Sequence, residues 1–187
     1  MDEQRRDSSL DALRAHDPDA CRRFVLDHRD RVYAFLAHLT SDRALAEELT
    51  LDVFAAAWCA LPAFDGRASL ATWLHRIAYT KFLDRRRADA RRAARANTLA
   101  VRGVQPTPPS DPLDGFQLNE QTARLRTLLS QLSDEDRALV LLHYTQRMSY
   151  ADIAIAVGEP EGTVKWRISK ILKQLRERLM ETSNAHA

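Results

Sequence analysis

Between Thr163 and Arg178 the chain carries six basic residues, Lys165, Arg167, Lys170, Lys173, Arg176 and Arg178, against one acid, Glu177. At about 100° per residue, Val164, Ile168, Ile171, Leu172, Leu175 and Leu179 gather into an apolar stripe on one helix. Trp166, Ser169, Lys170 and Lys173 fall opposite, with Lys165 and Arg167 flanking them and Thr163 at the helix start. A helix so divided suits the major groove of DNA, with cations on phosphates and a few side chains at base edges. The plain alternative is a solvated amphipathic helix in a bundle. What precedes the helix weighs for DNA. Ser149 is a good N-cap with Asp152 three residues on, where a capping partner belongs. Ile153, Ala154 and Val157 give a short apolar face, and Gly158 stops that helix by tolerating positive φ. Pro160 occupies the turn before a second start at Glu161-Gly162-Thr163. Two helices joined by a tight Gly-containing turn are the sequence form of a helix-turn-helix.

The elements behind this motif are helical as well. The chain has 187 residues, 45% of them apolar, five glycines and few β-branched runs, which points to an all-α protein of one large or two small domains. Phe24, His28, Val32, Phe35, Leu36 and Leu39 describe one long helix from Ala20, preceded by a short one near Leu10. Ser41-Asp42 punctuates it. A second helix runs from about Arg43 to Leu61 and ends at Pro62. After the loop Phe64–Ala68, Ser69 caps a third helix with Leu70, Trp73, Leu74 and Ile77 inward, reaching about Arg87. Four of the seven prolines (106, 108, 109 and 112) fall between residues 96 and 116, an extended linker by composition. Beyond it, Leu118, Thr122, Leu125, Leu128, Leu129 and Leu132 suggest one helix, and Ser133 caps another that runs to about Tyr144. The expected organisation is therefore residues 10–95, a linker over 96–116, and a helical unit over 117–182 that ends in the helix-turn-helix.

The net charge of +2 says nothing about nucleic acid, but its distribution does. Six arginines crowd residues 85–95, whereas Asp42, Glu47, Glu48 and Asp52 cluster upstream. Cys21 and Cys59 form no paired motif and are expected as buried, reduced thiols. The histidines at 16, 28, 38, 75, 143 and 186 lack ligand spacing, and no zinc-protease, phosphate-loop or nucleophile-elbow motif is present. No metal, cofactor or catalytic residue is expected. Neither a membrane-length apolar run nor a signal peptide is seen, so the expected location is cytoplasmic.

In this order and spacing the motifs resemble the extracytoplasmic-function (group four) sigma factors of bacterial RNA polymerase, over about residues 20 to 180. The carriers are Ala46-Glu47-Glu48-Leu49-Thr50-Leu51-Asp52-Val53-Phe54, then Thr72-Trp73-Leu74-His75-Arg76-Ile77-Ala78 with Asp84-Arg85-Arg86-Arg87. In the second half they are Leu132-Ser133-Asp134-Glu135-Asp136-Arg137 and Gly162-Thr163-Val164-Lys165-Trp166-Arg167. The resemblance implies a non-catalytic subunit that binds core RNA polymerase and promoter DNA. Glu48, Leu49, Asp52 and Phe54 would meet the coiled coil of the largest polymerase subunit; the alternative is that Leu49 and Phe54 pack on the first helix, and for Phe54 the two readings weigh equally. Phe64, Arg67, Thr72, His75, Arg76, Tyr79 and Arg86 would open the −10 element, the Phe64–Ala68 loop holding a flipped base. Thr163, Lys165, Trp166, Arg167, Ser169, Lys170 and Lys173 would read the −35 element, and an anti-sigma partner becomes plausible. Association through polymerase would bring the chain to the nucleoid. Leu51, Thr80 and Trp166 depart from the family pattern, where Gln, Asn and Ser are usual. Of these Trp166 is the most informative, because an indole offers a thymine methyl apolar contact and one N–H donor. Two other readings compete. A stand-alone helix-turn-helix regulator leaves Ala46–Phe54 and the linker without a purpose, and a helical enzyme lacks a paired nucleophile.

Overall fold

The computed structural model describes residues 10–99 and 127–184, with side chains over 10–95 and 127–180. All regular structure among them is helical. A helical turn at residues 10–14 precedes α1 (Pro18–Thr40), α2 (Arg43–Ala60) and α3 (Leu70–Leu99); α4 (Asp134–Tyr144), α5 (Tyr150–Val157) and α6 (Glu161–Asn184) follow.

Each boundary has a local cause. Asp17 caps α1 by accepting from Ala20 N, and Pro18 sits at the first helical position, where a missing N–H costs nothing. Ser41 ends α1 at φ 53°, and Asp42 caps α2 by accepting from Leu45 N. Pro62 turns the chain into a single 3-10 turn, Leu61–Ala63. Ser69 Oγ accepts from Thr72 N at 3.0 Å and so starts α3. Ser133 and Ser149 cap α4 and α5 in the same manner.

α1, α2 and α3 form a three-helix unit around Phe24, Val32, Phe35, Leu36, Val53, Leu74 and Phe82, all buried. α4, α5 and α6 form the second unit around Leu139, Leu142, Ile153, Val164 and Ile168. These two sets belong to one continuous apolar cluster, because α5 lies along α3 and α4 along α1. A smaller cluster of Val140, Ile171 and Leu175, with Leu128, Leu129 and Leu132 against it, closes the far side of α6.

Two expectations are corrected. α3 does not stop near Arg87 but continues to Leu99, twelve residues further. Its extension is mostly Arg and Ala, good helix formers, tied by Arg87–Asp84, Arg85–Asp89 and Arg92–Asp89 pairs at helical spacing. The thiols are not both buried: Cys59 is exposed at the end of α2 and Cys21 is half-buried, though both are free. The linker and the helix expected from Leu118 fall largely outside the described residues, save that residues 127–130 are helical.

Candidate nucleic-acid interface

The second face of α6 is built from the motif upward. Ser149 fixes the start of α5, donating to Asp152 Oδ2 at 2.6 Å and accepting from Asp152 N at 3.1 Å. Gly158, at φ 75°, ends α5 in the left-handed region, and its N–H returns to Ala154 O at 2.9 Å. That turn sets α6 across α5 and seats Val164, Ile168, Ile171 and Leu175 in the core. Thr163, Lys165, Trp166, Ser169, Lys170 and Lys173 are consequently exposed. Trp166 is 62% exposed, and the Lys170 ammonium lies 5.0 Å from its ring centroid. This cation–π contact holds the indole flat against a positive charge on the outward face.

Arg167 behaves differently from its neighbours. Its Nε and Nη2 both donate to Asp136 Oδ1, at 3.1 and 2.6 Å, while Nη1 reaches Glu159 Oε1. It is half-buried and joins α6 to α4 and to the α5–α6 turn. The expectation that it faces DNA is corrected in this conformation: its guanidinium is engaged within the fold.

On the first unit, Arg67 and Arg76 are exposed, whereas Phe64 is buried against Trp73 with ring centroids 4.8 Å apart. The Phe64 carbonyl accepts from Arg14 Nη2 at 2.6 Å, and Gly66 turns the exposed loop at φ 74°. Thr72, His75 and Tyr79 were expected on the outward side of α3. They are instead 3%, 1% and 6% exposed: α5 runs along α3 and meets Thr72, His75 stands edge-on to Phe35 of α1 with ring centroids 5.5 Å apart, and Tyr79 lies near Glu135 and Glu159. Thr72 Oγ1 donates to Asp152 Oδ1 at 3.0 Å. His75 Nδ1 donates to Ala71 O at 2.7 Å, which leaves Nε2 as the acceptor of a neutral ring. Burial lowers the His75 pKa, and the nearby Arg31 and His28 lower it further, against the helping Ala71 carbonyl and Gln146 side chain. Tyr79 is pushed up to about 12, by burial first and then by the carboxylates of Glu135 and Glu159. Arg86 remains exposed, but its Nε donates to Asp134 Oδ2 at 2.7 Å.

In the acidic segment of α2, Glu48 and Asp52 are exposed and Glu48 pairs with Arg85 at 2.7 Å. Leu49 and Phe54 are buried, Phe54 edge-on to Phe24 at 5.9 Å, so in this conformation they pack on α1 and offer no surface. Leu51, 73% exposed, is the apolar group that this stretch presents, beside a groove that Tyr33, Arg43 and Glu47 also line. Thr80 is exposed and turns its hydroxyl back to Arg76 O at 2.9 Å.

Periodicity did not reveal Arg31, Gln146, Asp152 and Asp134 as contacts between the two units. Arg31 Nη2 donates to Gln146 O at 2.6 Å across 115 residues of sequence. Asp152 was legible only as a cap. Among the described residues no group of three or more His, Cys, Asp and Glu could hold a metal ion, and no helix is long and apolar enough to cross a membrane.

Comparison with known proteins bears on both halves. Residues 24–92 match Sigma-70 region 2, and residues 122–175 match Sigma-70, region 4. The chain is 31% identical to the ECF RNA polymerase sigma factor RpoE of Cereibacter sphaeroides, over 86% of this chain and 93% of that one. It is 31% identical to the ECF RNA polymerase sigma factor SigC of Mycobacterium tuberculosis, over 81% and 78%. Among solved structures, the sigma factor RpoE in complex with the anti-sigma factor NepR, from Bartonella quintana, superposes with a TM-score of 0.66 at 26% identity. That superposition covers 83% of this chain and 94% of the other.

Proposed function

The chain belongs to the extracytoplasmic-function sigma factors of the sigma-70 family, and we propose that it is a group-four member whose two helical units contact a promoter separately. It is an alternative sigma factor that binds core RNA polymerase and directs promoter-specific transcription initiation. In this reading the chemistry belongs to the polymerase, the chain is not an enzyme, and it works in the cytoplasm, reaching the nucleoid with its polymerase.

The observation that carries the assignment of roles is the division of α6. Four apolar side chains are locked in the core, while Lys165, Trp166, Ser169, Lys170 and Lys173 stand outward on the second helix of the motif. Thr163 starts that surface, and the whole would lie in the major groove of the −35 element. Arg167 would hold α6 in place and could reach a phosphate only by leaving its two carboxylates. Strand opening at the −10 element needs cations for the backbone and aromatic or pocket contacts for unstacked bases. Arg67, Arg76 and Arg86 would supply the first, and Phe64, Thr72, His75 and Tyr79 the second. On α2, Glu48 and Asp52 would complement a basic coiled coil, with Leu51 as the apolar contact and Leu49 and Phe54 fixing the helix that carries them. The domain limits that fit this division are residues 10–95 and 117–182, with 96–116 as the tether, its first residues 96–99 still carried by α3. The Bartonella relative was solved with an anti-sigma factor, which supports an anti-sigma partner here too.

The test is run-off transcription. Core polymerase supplied with the chain should start transcripts at a defined subset of a promoter library, and the chain should co-purify with core in equal amounts. A stand-alone regulator would do neither.

A further inference from the structure

The loop assigned to the extruded −10 base, residues 64–68, is open at its tip. Asp65, Gly66 and Arg67 are exposed, and a Cβ added to Gly66 would meet nothing within 4 Å. The ties within the tip are local: Arg67 N donates to Asp65 Oδ1 at 3.1 Å, and the two side chains pair at 3.3 Å. A loop this bare keeps one shape only if its ends are fixed, because every residue left free must be ordered when a ligand arrives.

Both ends are fixed. At the far end Ser69 Oγ accepts from Thr72 N at 3.0 Å and lies 2.9 Å from the Thr72 hydroxyl. At the near end three contacts converge on Phe64. Its N–H donates to Leu61 O at 3.1 Å, its ring lies on Trp73, and its carbonyl accepts from Arg14 Nη2 at 2.6 Å. The first two contacts come from within ten residues. The third comes from 50 positions away, on the helical turn that precedes α1.

That turn is a rigid mount. Leu13 is 3% exposed and belongs to the main apolar cluster. Asp17 N donates back to Ala12 O at 3.0 Å, and Asp17 Oδ1 accepts from Ala20 N, so the turn is joined directly to the start of α1. Arg14 Nη1 stands 3.5 Å from Asp11 Oδ1, which aims the other amino group at the loop. A charged donor on a carbonyl makes a stronger bond than a neutral one, and the planar fork serves both partners from one side chain. Residues 10–16 lie outside the stretch 24–92 that matches Sigma-70 region 2.

From this geometry we infer that Arg14 is a positioning residue for promoter opening: it holds the Phe64 carbonyl so that the loop already has its shape when the −10 base leaves the stack. The inference rests on the sigma-factor reading for the role of the loop and adds the N-terminal turn to the −10 machinery. The ordering of the loop is then completed on folding and not during capture of the base.

The test uses the full chain with core polymerase, on a promoter that it selects from the library. The fluorescent base aminopurine, placed at each −10 position in turn, brightens where a base leaves the stack. With Arg14→Ala that signal should rise about five- to tenfold more slowly. Arg14→Lys, which keeps a charged donor, should recover part of the loss. Circular dichroism checks that both variants fold. Co-purification with core, and binding of the holoenzyme to a duplex that ends upstream of the −10 element, should not change. An abasic site at the brightening position supplies a readout that a merely structural role would not move. There the loop has no base to hold, so the wild type should open more slowly and Arg14→Ala should lose nothing further. If Arg14→Ala opens the intact promoter as fast as the wild type, or loses the same factor on the abasic one, the inference is overturned. If transcripts start but no −10 position brightens, the loop takes no base; the inference falls and the sigma-factor role stands. If the wild type starts no transcripts at all, the sigma-factor reading itself fails, and the role of Arg14 goes with it.

Discussion

Trp166 concentrates what single residues decide here. Its exposed indole, backed by Lys170, offers apolar contact to a thymine methyl, whereas serine would offer a hydroxyl donor and acceptor. Trp166→Ser should therefore change the preferred −35 bases in a promoter-selection assay while binding persists; an unchanged preference would remove Trp166 from base readout. Arg167 makes the opposite prediction. Arg167→Ala strands Asp136 and Glu159, both about two-thirds covered, and should destabilise the second unit by about 1–3 kcal/mol in chemical denaturation. Arg167→Lys should recover little, because a point charge cannot bridge two carboxylates as the fork does. His75 adds a pH dependence to the stability of the fold. Its pKa is lowered by burial, with Arg31 and His28 adding to the shift, while the Ala71 carbonyl and Gln146 oppose it. A lowered pKa means the folded chain disfavours the proton, so the contribution of His75 to stability is complete above the ordinary value of 6.5 and is lost as pH falls below it. Stability in chemical denaturation should accordingly fall as the pH is lowered from about 7.5 to about 5.5, and His75→Gln should flatten that fall. The caps Ser133, Ser149 and Gly158 were legible from the sequence because each acts within four residues. The burial of Thr72, His75 and Tyr79 was not, since the groups around them lie far along the chain, Asp152 for Thr72, Phe35 for His75 and Glu135 for Tyr79.

At the scale of elements, α5 is the piece on which both surfaces depend. It has eight residues, too few to be stable alone, and its start relies on Ser149. Ser149→Ala should cost about 1 kcal/mol by denaturant titration. The same change should loosen both the α6 reading face and the cover over α3, because Asp152 serves the cap and Thr72 together. The existence and order of the helices followed from apolar spacing and punctuation, and α1 and α2 end within a residue or two of where Ser41-Asp42 and Pro62 predict. The end of α3 did not follow, because beyond Arg87 no apolar stripe exists to read. There the helix persists through alanine and arginine propensity and charge pairs, which carry no amphipathic signature. The buried positions of Leu49 and Phe54 were one of two readings open from the sequence. Only the seating of α2 on α1 decided between them.

For the whole molecule, affinity for promoter duplex without polymerase should come through α6 and be strongly ionic. If Lys165, Lys170 and Lys173 each meet a phosphate, log K should fall with log salt at a slope of about −2.7. Lys170→Ala should reduce that slope by about one while weakening all sequences alike. A salt-insensitive interaction would contradict the assignment. Two units were predicted and two are found, but their packing into one cluster was invisible to periodicity, which reads a single helix at a time. The length of α3 has a further bearing on how the two units are joined. From Arg85 to Leu99 the helix extends by about 20 Å at 1.5 Å per residue, past Phe82, the last buried side chain of α3 among those described. It thus behaves as a boom: it fixes the height and heading at which the tether leaves the first unit. A Pro placed at Ala93 should bend the boom and misdirect the tether without touching either DNA surface.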